Sequence, residues 1–492
     1  MFCRFSAALA VLLCMLATPA VHADDDDTRF LLEQARRAAE RRTAQPGELV
    51  APPGALVYEG QIYTVPTRLD ALEPAIYVAI NTGQWERLTE FTSRYRLLRD
   101  HRPALVAMAE ALLARQQGDH ALALHRMQAA HDADPGDARI RLELARLRFE
   151  DNQDGAARAA FAQAISGGLP EQVQMMAQQY LRALDERARW HGSAALGVGR
   201  NDNINQASGD YSCLLAVEDF CLFERKMPKP IASSMANYEL AFVRRIHLGG
   251  NHNLQVRPVA YGSQYRRDDT TGAVPIEDYS NNTAMLYLGY NWLDAHDSFA
   301  VTPYAEHYHR DGHTQYLARG LQLEWSRALG NGWQLGSMLD AKRYAHTSRG
   351  LRMATDYSQY QWSLSASYMP QANTSVYGGL DATRKKHAVE QASSKELALR
   401  AGLYHVFPGE AGVFVNALGI LRFSRNDAFD GFLGGQRRDR QQVYIVSLGV
   451  NAWKIAGLTP ELRLRHSVNR SNLDWAFGFR QTEASLLLRH NF

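Results

Sequence analysis

Residues 360–368 read Tyr360-Gln361-Trp362-Ser363-Leu364-Ser365-Ala366-Ser367-Tyr368. Five apolar or aromatic side chains alternate with four small polar ones, the period of a strand whose two faces meet different surroundings. The apolar face carries large aromatics at both ends, and the polar face carries no charge. Two further stretches repeat the pattern. Ala284, Leu286, Leu288, Tyr290 and Trp292 share one face, with Tyr287, Gly289 and Asn291 on the other. At the end of the chain Leu486, Leu488, His490 and Phe492 oppose Ser485, Arg489 and Asn491.

Working outward from these, fourteen such segments begin near residues 189, 233, 253, 280, 298, 314, 332, 355, 372, 394, 410, 438, 459 and 482. The links between them alternate in length. Six are short: 248–251, 293–297, 330–332, 370–373, 407–410 and 454–458. Seven are longer or more polar: 205–232, 266–279, 310–313 (not itself long), 347–354, 387–393, 425–437 and 471–479. An even strand number, short turns on one side, larger loops on the other and aromatics beside the short turns (Tyr290, Trp292, Trp333, Tyr368) predict an outer-membrane β-barrel over 189–492. Hydrocarbon cannot satisfy an open sheet edge, so the strands must close on themselves. The competing arrangement is a secreted β-sandwich or propeller, but no blade repeat is present and the Leu/Trp/Tyr faces would then lie in water. Fourteen strands fall between filled eight-stranded barrels and open sixteen-stranded pores, so a lumen is expected. The terminal Leu486, Leu488, His490 and Phe492 read as the end signal for barrel assembly.

Composition agrees. The chain has 492 residues, with 54 Lys+Arg against 52 Asp+Glu, and a mean hydropathy of −0.35. A net charge of +2 and the lack of a long basic run give no field for nucleic acid. Ten per cent aromatics is too much for an intrinsically disordered chain. After the first 23 residues no uncharged apolar run approaches the roughly 20 residues of a spanning helix. Those first residues carry Arg4, an apolar stretch from Phe5 to Leu16 and a small-residue site at Val21-His22-Ala23, the form of a removed export signal (1–23). That leaves two cysteines, Cys213 and Cys221, as a lone pair outside the cytosol. A disulfide closing a short loop is expected of them.

Residues 24–74 read as a short helix followed by a Pro- and Gly-bearing linker. From about 75 to 188 a 34-residue period appears. Gly118, Ala123, Met127, Ala130 and Pro135 return as Asn152, Ala157, Phe161, Ala164 and Leu169, with Pro170 one place late. A weaker unit surrounds Gly83, Trp85 and Leu88. This is the spacing of tetratricopeptide (TPR) helix pairs, and about three units are the minimum for a continuous stacked core. The fold class is therefore a TPR-like α-solenoid followed by a fourteen-stranded antiparallel transmembrane barrel.

A periplasmic repeat domain joined to such a barrel resembles the surface lipoprotein assembly modulator (Slam) family. The local match is the first barrel strand, Gly197-Val198-Gly199-Arg200-Asn201-Asp202-Asn203-Ile204-Asn205-Gln206-Ala207, where the family carries a similar Asn-rich stretch. The resemblance implies movement of a surface lipoprotein or a secreted haem- or metal-acquisition protein across the outer membrane. The implied partners are that client, the barrel-assembly machinery, outer-membrane lipid and a periplasmic chaperone. A substrate-specific channel or exopolysaccharide export porin remains the alternative.

Catalytic signatures are absent from the sequence: no GxSxG, phosphate-binding loop, HExxH or CxxC occurs. No enzyme activity and no cofactor are expected. His307, His309, Asp311 and His313 form the best metal-like cluster, yet read better as a solvated loop edge. Asp24–Asp27 and Asp268-Asp269 lack the ordered spacing of a calcium loop. Arg400, Arg422, Arg463, Arg465 and Arg489 fall on inward positions of the late strands. Such arginines guide an acidic substrate or pair with lumen carboxylates, and Asp340, Asp381 and Glu396 on the same side favour pairing. Arg139, Arg141, Arg146 and Arg148 are expected to form a basic patch on the repeats, a candidate dock for the client.

Overall fold

The computed structural model describes residues 53–492 apart from 60, 218–219, 267–278 and 353. The expected export signal, the helix at 24–42 and both acidic runs lie outside the described residues.

The helical region begins with a small hairpin, β1 (Ala55–Tyr58) and β2 (Gln61–Thr64). Seven helices follow: α1 (Leu69–Thr82), α2 (Trp85–Arg96), α3 (Pro103–Gln116), α4 (His120–Ala133), α5 (Ala138–Glu150), α6 (Asp154–Ser166) and α7 (Glu171–Ala188). The stretch read as linker thus holds a hairpin, with Val57 exchanging two hydrogen bonds with the Gln84 side chain (3.0 and 2.7 Å). Helix α1 starts six residues earlier than the repeat spacing placed it, and Pro74 within its second turn obscures that start. Within each pair the helices reverse direction at a left-handed residue: Gly83 (φ 71°), Gly118 (φ 83°) and Asn152 (φ 60°). Glycine adopts this conformation without strain and Asn tolerates it better than most residues, which explains why the period preserves these types. Leu88, Ala123, Met127, Ala130, Ala157, Phe161 and Ala164 are all buried. Their small or slender side chains let the paired helices approach.

Helix α7 and the first barrel strand are separated by a single residue, Arg189. The closed barrel comprises β3 (Trp190–Asn201), β6 (Ser233–Gly249), β7 (His252–Tyr265), β8 (Asn281–Leu293), β9 (Asp297–Arg310), β10 (His313–Gly330), β11 (Trp333–His346), β12 (Tyr357–Gln371), β13 (Thr374–His387), β14 (Ser394–Val406), β15 (Val413–Asn426), β16 (Arg438–Val450), β17 (Thr459–Ser471) and β18 (Phe479–Asn491). Every pair is antiparallel, and β18 closes on β3 with Ser485 opposite Gly199. A second hairpin, β4 (Tyr211–Val217) and β5 (Phe220–Lys226), lies in the first outer loop, and a short helix α8 (Asp474–Phe477) in the last. The outer connection at 311–312 is a two-residue turn in which Asp311 and Gly312 both have positive φ, the tight hairpin form an Asp-Gly pair favours.

Side chains sort by parity. Leu286, Leu288, Tyr290, Tyr360, Trp362, Leu364, Leu486 and many like them are exposed on the outer wall. Asn237, Asn253, Asn291, Thr302, Glu306, Asp340, Ser363 and Glu461 are buried on the inner one. Beside the short turns Trp333 stacks on Tyr368 (4.6 Å) and Trp292 lies against Phe299 (5.9 Å). This apolar band with an aromatic girdle is the surface a bilayer requires. Among the described residues no helix is long and apolar enough to cross a membrane.

Candidate functional site

The repeats meet the barrel at one polar joint. The α5–α6 turn, Asp151-Asn152-Gln153-Asp154, sits on the short turns β6–β7 and β8–β9. Asn251 donates to the Asp151 carbonyl (2.5 Å) and Asn152 donates to the Asp294 carbonyl (2.8 Å). The Ala295 amide donates to the Asp151 carboxylate (3.2 Å). Arg245 of β6 pairs with Asp154 (2.5 Å), which Arg187 of α7 also holds (2.9 Å). The α3–α4 turn adds a second foot. His296 bonds the Gly118 carbonyl (2.7 Å), and its ring meets His120 edge-on at 4.9 Å. Burial pushes the His120 pKa down, partly opposed by the nearby Glu150 carboxylate. At Gly155 the fit is close: a Cβ there would stand 2.8 Å from His247 Nε2. Hydrogen bonds to charged groups contribute about 1.5–3 kcal/mol each when half-buried, so a few suffice to set the solenoid's attitude on the rim.

On the solenoid, Arg139 of α5 reaches Asn81 of α1 (2.7 Å) and lies over the Tyr77 ring (5.0 Å). Arg115 forks onto Glu150 through two 2.7 Å hydrogen bonds, and Arg146 meets the same carboxylate at 3.2 Å. The expected single basic patch is not formed. At 100° per residue Arg139 and Arg146 share one side of α5, while Arg141 and Arg148 occupy the opposite side. Arg148 there bonds Gln128 (3.0 Å), and burial pushes its pKa down. It lines a groove of about 340 Å³ with Leu124, His125 and Gln128.

In the lumen, Arg463 and Arg489 join Glu239 and Glu461 in a closed quartet: Arg463–Glu239 2.5 Å, Arg463–Glu461 3.0 Å, Arg489–Glu239 2.9 Å and Arg489–Glu461 3.0 Å. It spans β17, β18 and β6, and Arg489 also donates to Ser193 of β3 (3.2 Å). The charges therefore bridge the seam where the first and last strands meet. Arg400 donates to Asp381 (2.8 Å) and Arg422 to Gln441 (2.7 Å), while Arg465 points inward with the quartet's parity. Lys385 holds Glu396 (2.9 Å), and Tyr304 donates to Asp340 (2.8 Å). Sequence reasoning missed Glu239 and Glu461. The spacing Glu461-x-Arg463-x-Arg465 was the available signal for Glu461. Glu239 carried none, since it meets Arg463 across 224 positions. A row of packed rings, Tyr308, Tyr316, Tyr344, Tyr357 and His387, with neighbouring centroids 4.1–5.1 Å apart, stacked except where Tyr316 meets Tyr344 edge-on, also went unread.

The Asn-rich stretch folds into the outer end of the seam. Asn203 accepts from the Ala207 amide (3.0 Å) and donates to the Arg480 carbonyl (2.9 Å), and Asn205 accepts from the Ile231 amide (3.0 Å). Each amide side chain here replaces a missing ladder partner, as buried backbone requires. Cys213 and Cys221 are joined across β4 and β5, their Cα atoms 5.8 Å apart. Leu486, Leu488 and His490 face outward, and Phe492 packs on Phe242 (5.5 Å) and His490 (4.4 Å). His307 bonds Thr314 (2.9 Å) and Asp311 pairs with Arg349. Among the described residues no group of three or more metal-ligating side chains converges.

A family model described as "Surface lipoprotein assembly modifier" matches residues 190–492, and one described as "Surface lipoprotein assembly modifier, N-terminal TPR repeats" matches 62–161. The chain is similar to the hemophilin secretion modulator of Acinetobacter baumannii, 24% identical over 98% of both chains. It is similar also to surface lipoprotein assembly modifiers 1 and 2 of Neisseria meningitidis serogroup B. Each is 23% identical, over 90% of this chain and 87% of that relative for the first and 96% of both chains for the second.

Proposed function

The chain belongs to the surface lipoprotein assembly modifier family, and we propose that it carries a client protein, a surface lipoprotein or a secreted acquisition protein, from the periplasm across the outer membrane. In this reading residues 1–23 are the removed export signal and 24–68 lead into the repeats. The solenoid, from Leu69 of α1 to Ala188 of α7, holds the client on its inner curve, where Arg139 and Arg146 offer cationic contacts. The barrel at 189–492 supplies the passage or the surface for crossing. The observation that carries the reading is the polar joint. Asp151, Asn152 and Asp154 seat the repeats on the short turns, so a client held there is already at the periplasmic rim.

The task is binding and transfer, and it calls for no bond-making chemistry and no cofactor. The barrel-assembly machinery reads the end signal at Leu486, Leu488, His490 and Phe492, outer-membrane lipid surrounds the outward band, and a periplasmic chaperone hands over the client. The Cys213–Cys221 bond stiffens the first outer loop. Arg400, Arg463 and Arg489 act in ion pairs that hold the lumen wall.

Deletion of the gene is expected to strip one client from the cell surface and retain it in the periplasm, read by surface labelling and fractionation. Restoring the chain with Arg245→Ala should recover barrel insertion but deliver less client. A deletion that changes only small-solute uptake or capsule sugar would overturn the reading in favour of a channel or an exopolysaccharide porin.

A further inference from the structure

The two rims of the barrel differ on their outward faces. Aromatic rings crowd the short-turn rim, whereas the outer-loop rim carries cations in register. Lys395 of β14 stands directly opposite Arg384 of β13 and Arg425 of β15, and Arg425 opposite Arg438 of β16. Two strands away, Arg319 of β10 faces Arg343 of β11. Their parity is that of the lipid-facing leucines, so these side chains point away from the lumen. Arg384 pairs with the Asp427 carboxylate, which lies near enough to Lys395 to interact with it at longer range, as Asp356 does with Arg343, and Arg425 donates to the Gln436 side chain (3.1 Å). Among the described residues no carboxylate lies within ion-pair distance of Lys395, Arg425, Arg438, Arg319 or Arg343.

Directly opposed residues stand roughly 5 Å apart, and like charges so placed are destabilising unless an anion lies between them. Beneath the row is an apolar counterpart. A groove of about 580 Å³ across β10–β14 is floored by Leu321, Leu323, Leu339, Tyr360 and Trp362, and it reaches Arg384 and Lys395. An occupant must therefore be anionic at the outer-leaflet level and hydrocarbon below. Guanidinium groups match phosphate oxygens by paired hydrogen bonds, and Lys adds a point charge. Long basic side chains at this depth also reach the headgroups without burying charge.

We infer that this outward cationic row and its apolar groove bind the phosphorylated glycolipid of the outer leaflet, acyl chains on the leucine floor and phosphates on Lys395, Arg425 and Arg438. The site faces lipid and needs no client, so its test stands or falls apart from the delivery function.

The full chain, purified in detergent, is titrated with bis-phosphorylated lipid A, the same glycolipid dephosphorylated, phosphatidylglycerol and inorganic phosphate, with bound lipid counted by native mass spectrometry. Bis-phosphorylated lipid A should bind at least tenfold more tightly than its dephosphorylated form and more tightly than phosphatidylglycerol. The triple variant K395Q/R425Q/R438Q should lose that tenfold advantage, and Lys454→Gln on the opposite rim should keep it. If the triple variant does not fold, as judged by heat-modifiable migration, R319Q/R343Q is used and a smaller loss is expected. Equal binding of the dephosphorylated lipid, equal binding of phosphatidylglycerol, or displacement by millimolar phosphate would each overturn the inference.

Discussion

The two halves of this chain bury opposite things. In the repeats Phe161 is 1% exposed and, among the described charged residues, Asp151 at the joint alone is buried, whereas in the barrel Leu486 is 52% and Trp362 45% exposed while Glu461 and Arg489 are 4% and 5%. The solenoid hides carbon from water. The barrel offers carbon to lipid and hides its charges in the lumen wall. The same residue types therefore carry opposite energetic weight on either side of Arg189, and substitution can test that inversion directly.

The largest effect is expected at Glu461→Ala. It leaves two arginines sharing Glu239, and stranding a partner of a buried ion pair costs about 3–5 kcal/mol. Urea unfolding of the detergent-solubilised barrel should register a loss near the upper end. Phe161→Ala should cost about 3–5 kcal/mol in the repeats, nearer the middle, through the cavity it leaves, and should lower the helical melting transition of the full chain while the barrel transition stays. Arg245→Ala at the joint removes the charged bond to Asp154, worth about 1.5–3 kcal/mol. It should open the α5–α6 turn to limited proteolysis without shifting either transition. Leu486→Ala, a comparable truncation on the lipid face, should cost under about 1 kcal/mol in the folded barrel, since the transferred carbon stays in an apolar solvent. A loss as large as that of Phe161→Ala would break the comparison.

The smallest effect is a pH dependence. Burial lowers the His120 pKa in the folded joint, so between that value and its ordinary 6.5 the unfolded or undocked state binds more protons. The His120 contribution is thus present above pH 6.5 and lost as pH falls below it. Proteolysis of the α5–α6 turn should rise between neutral and mildly acidic pH, and His120→Gln should flatten that rise.

The barrel was legible because a two-residue alternation survives wherever one face meets lipid and the other does not. Each expected strand start lies within three residues of the observed one. The β4–β5 hairpin was not, because no such contrast acts on an outer loop. The solenoid core was legible from its 34-residue period, but the start of α1 was hidden behind Pro74. Arg139, Arg141, Arg146 and Arg148 look like one patch when counted along the chain, and only helical geometry divides them. The joint was invisible, since Asp151, Asn152 and Asp154 read as an ordinary turn and their partners lie about 90–145 positions away. The lumen arginines were found by parity alone, and Glu239 needed the closed cylinder to bring it across.

The one-residue spacer at Arg189 has a mechanical corollary. A flexible tether would let the solenoid swing without the barrel noticing, but α7 passes into β3 with no slack, and its last carbonyl, at Ala188, accepts from Arg244 of β6 (3.2 Å). A cargo tugging on the repeats therefore loads the cylinder wall itself. The torque arrives at its first stave, the one that has the final strand for a neighbour.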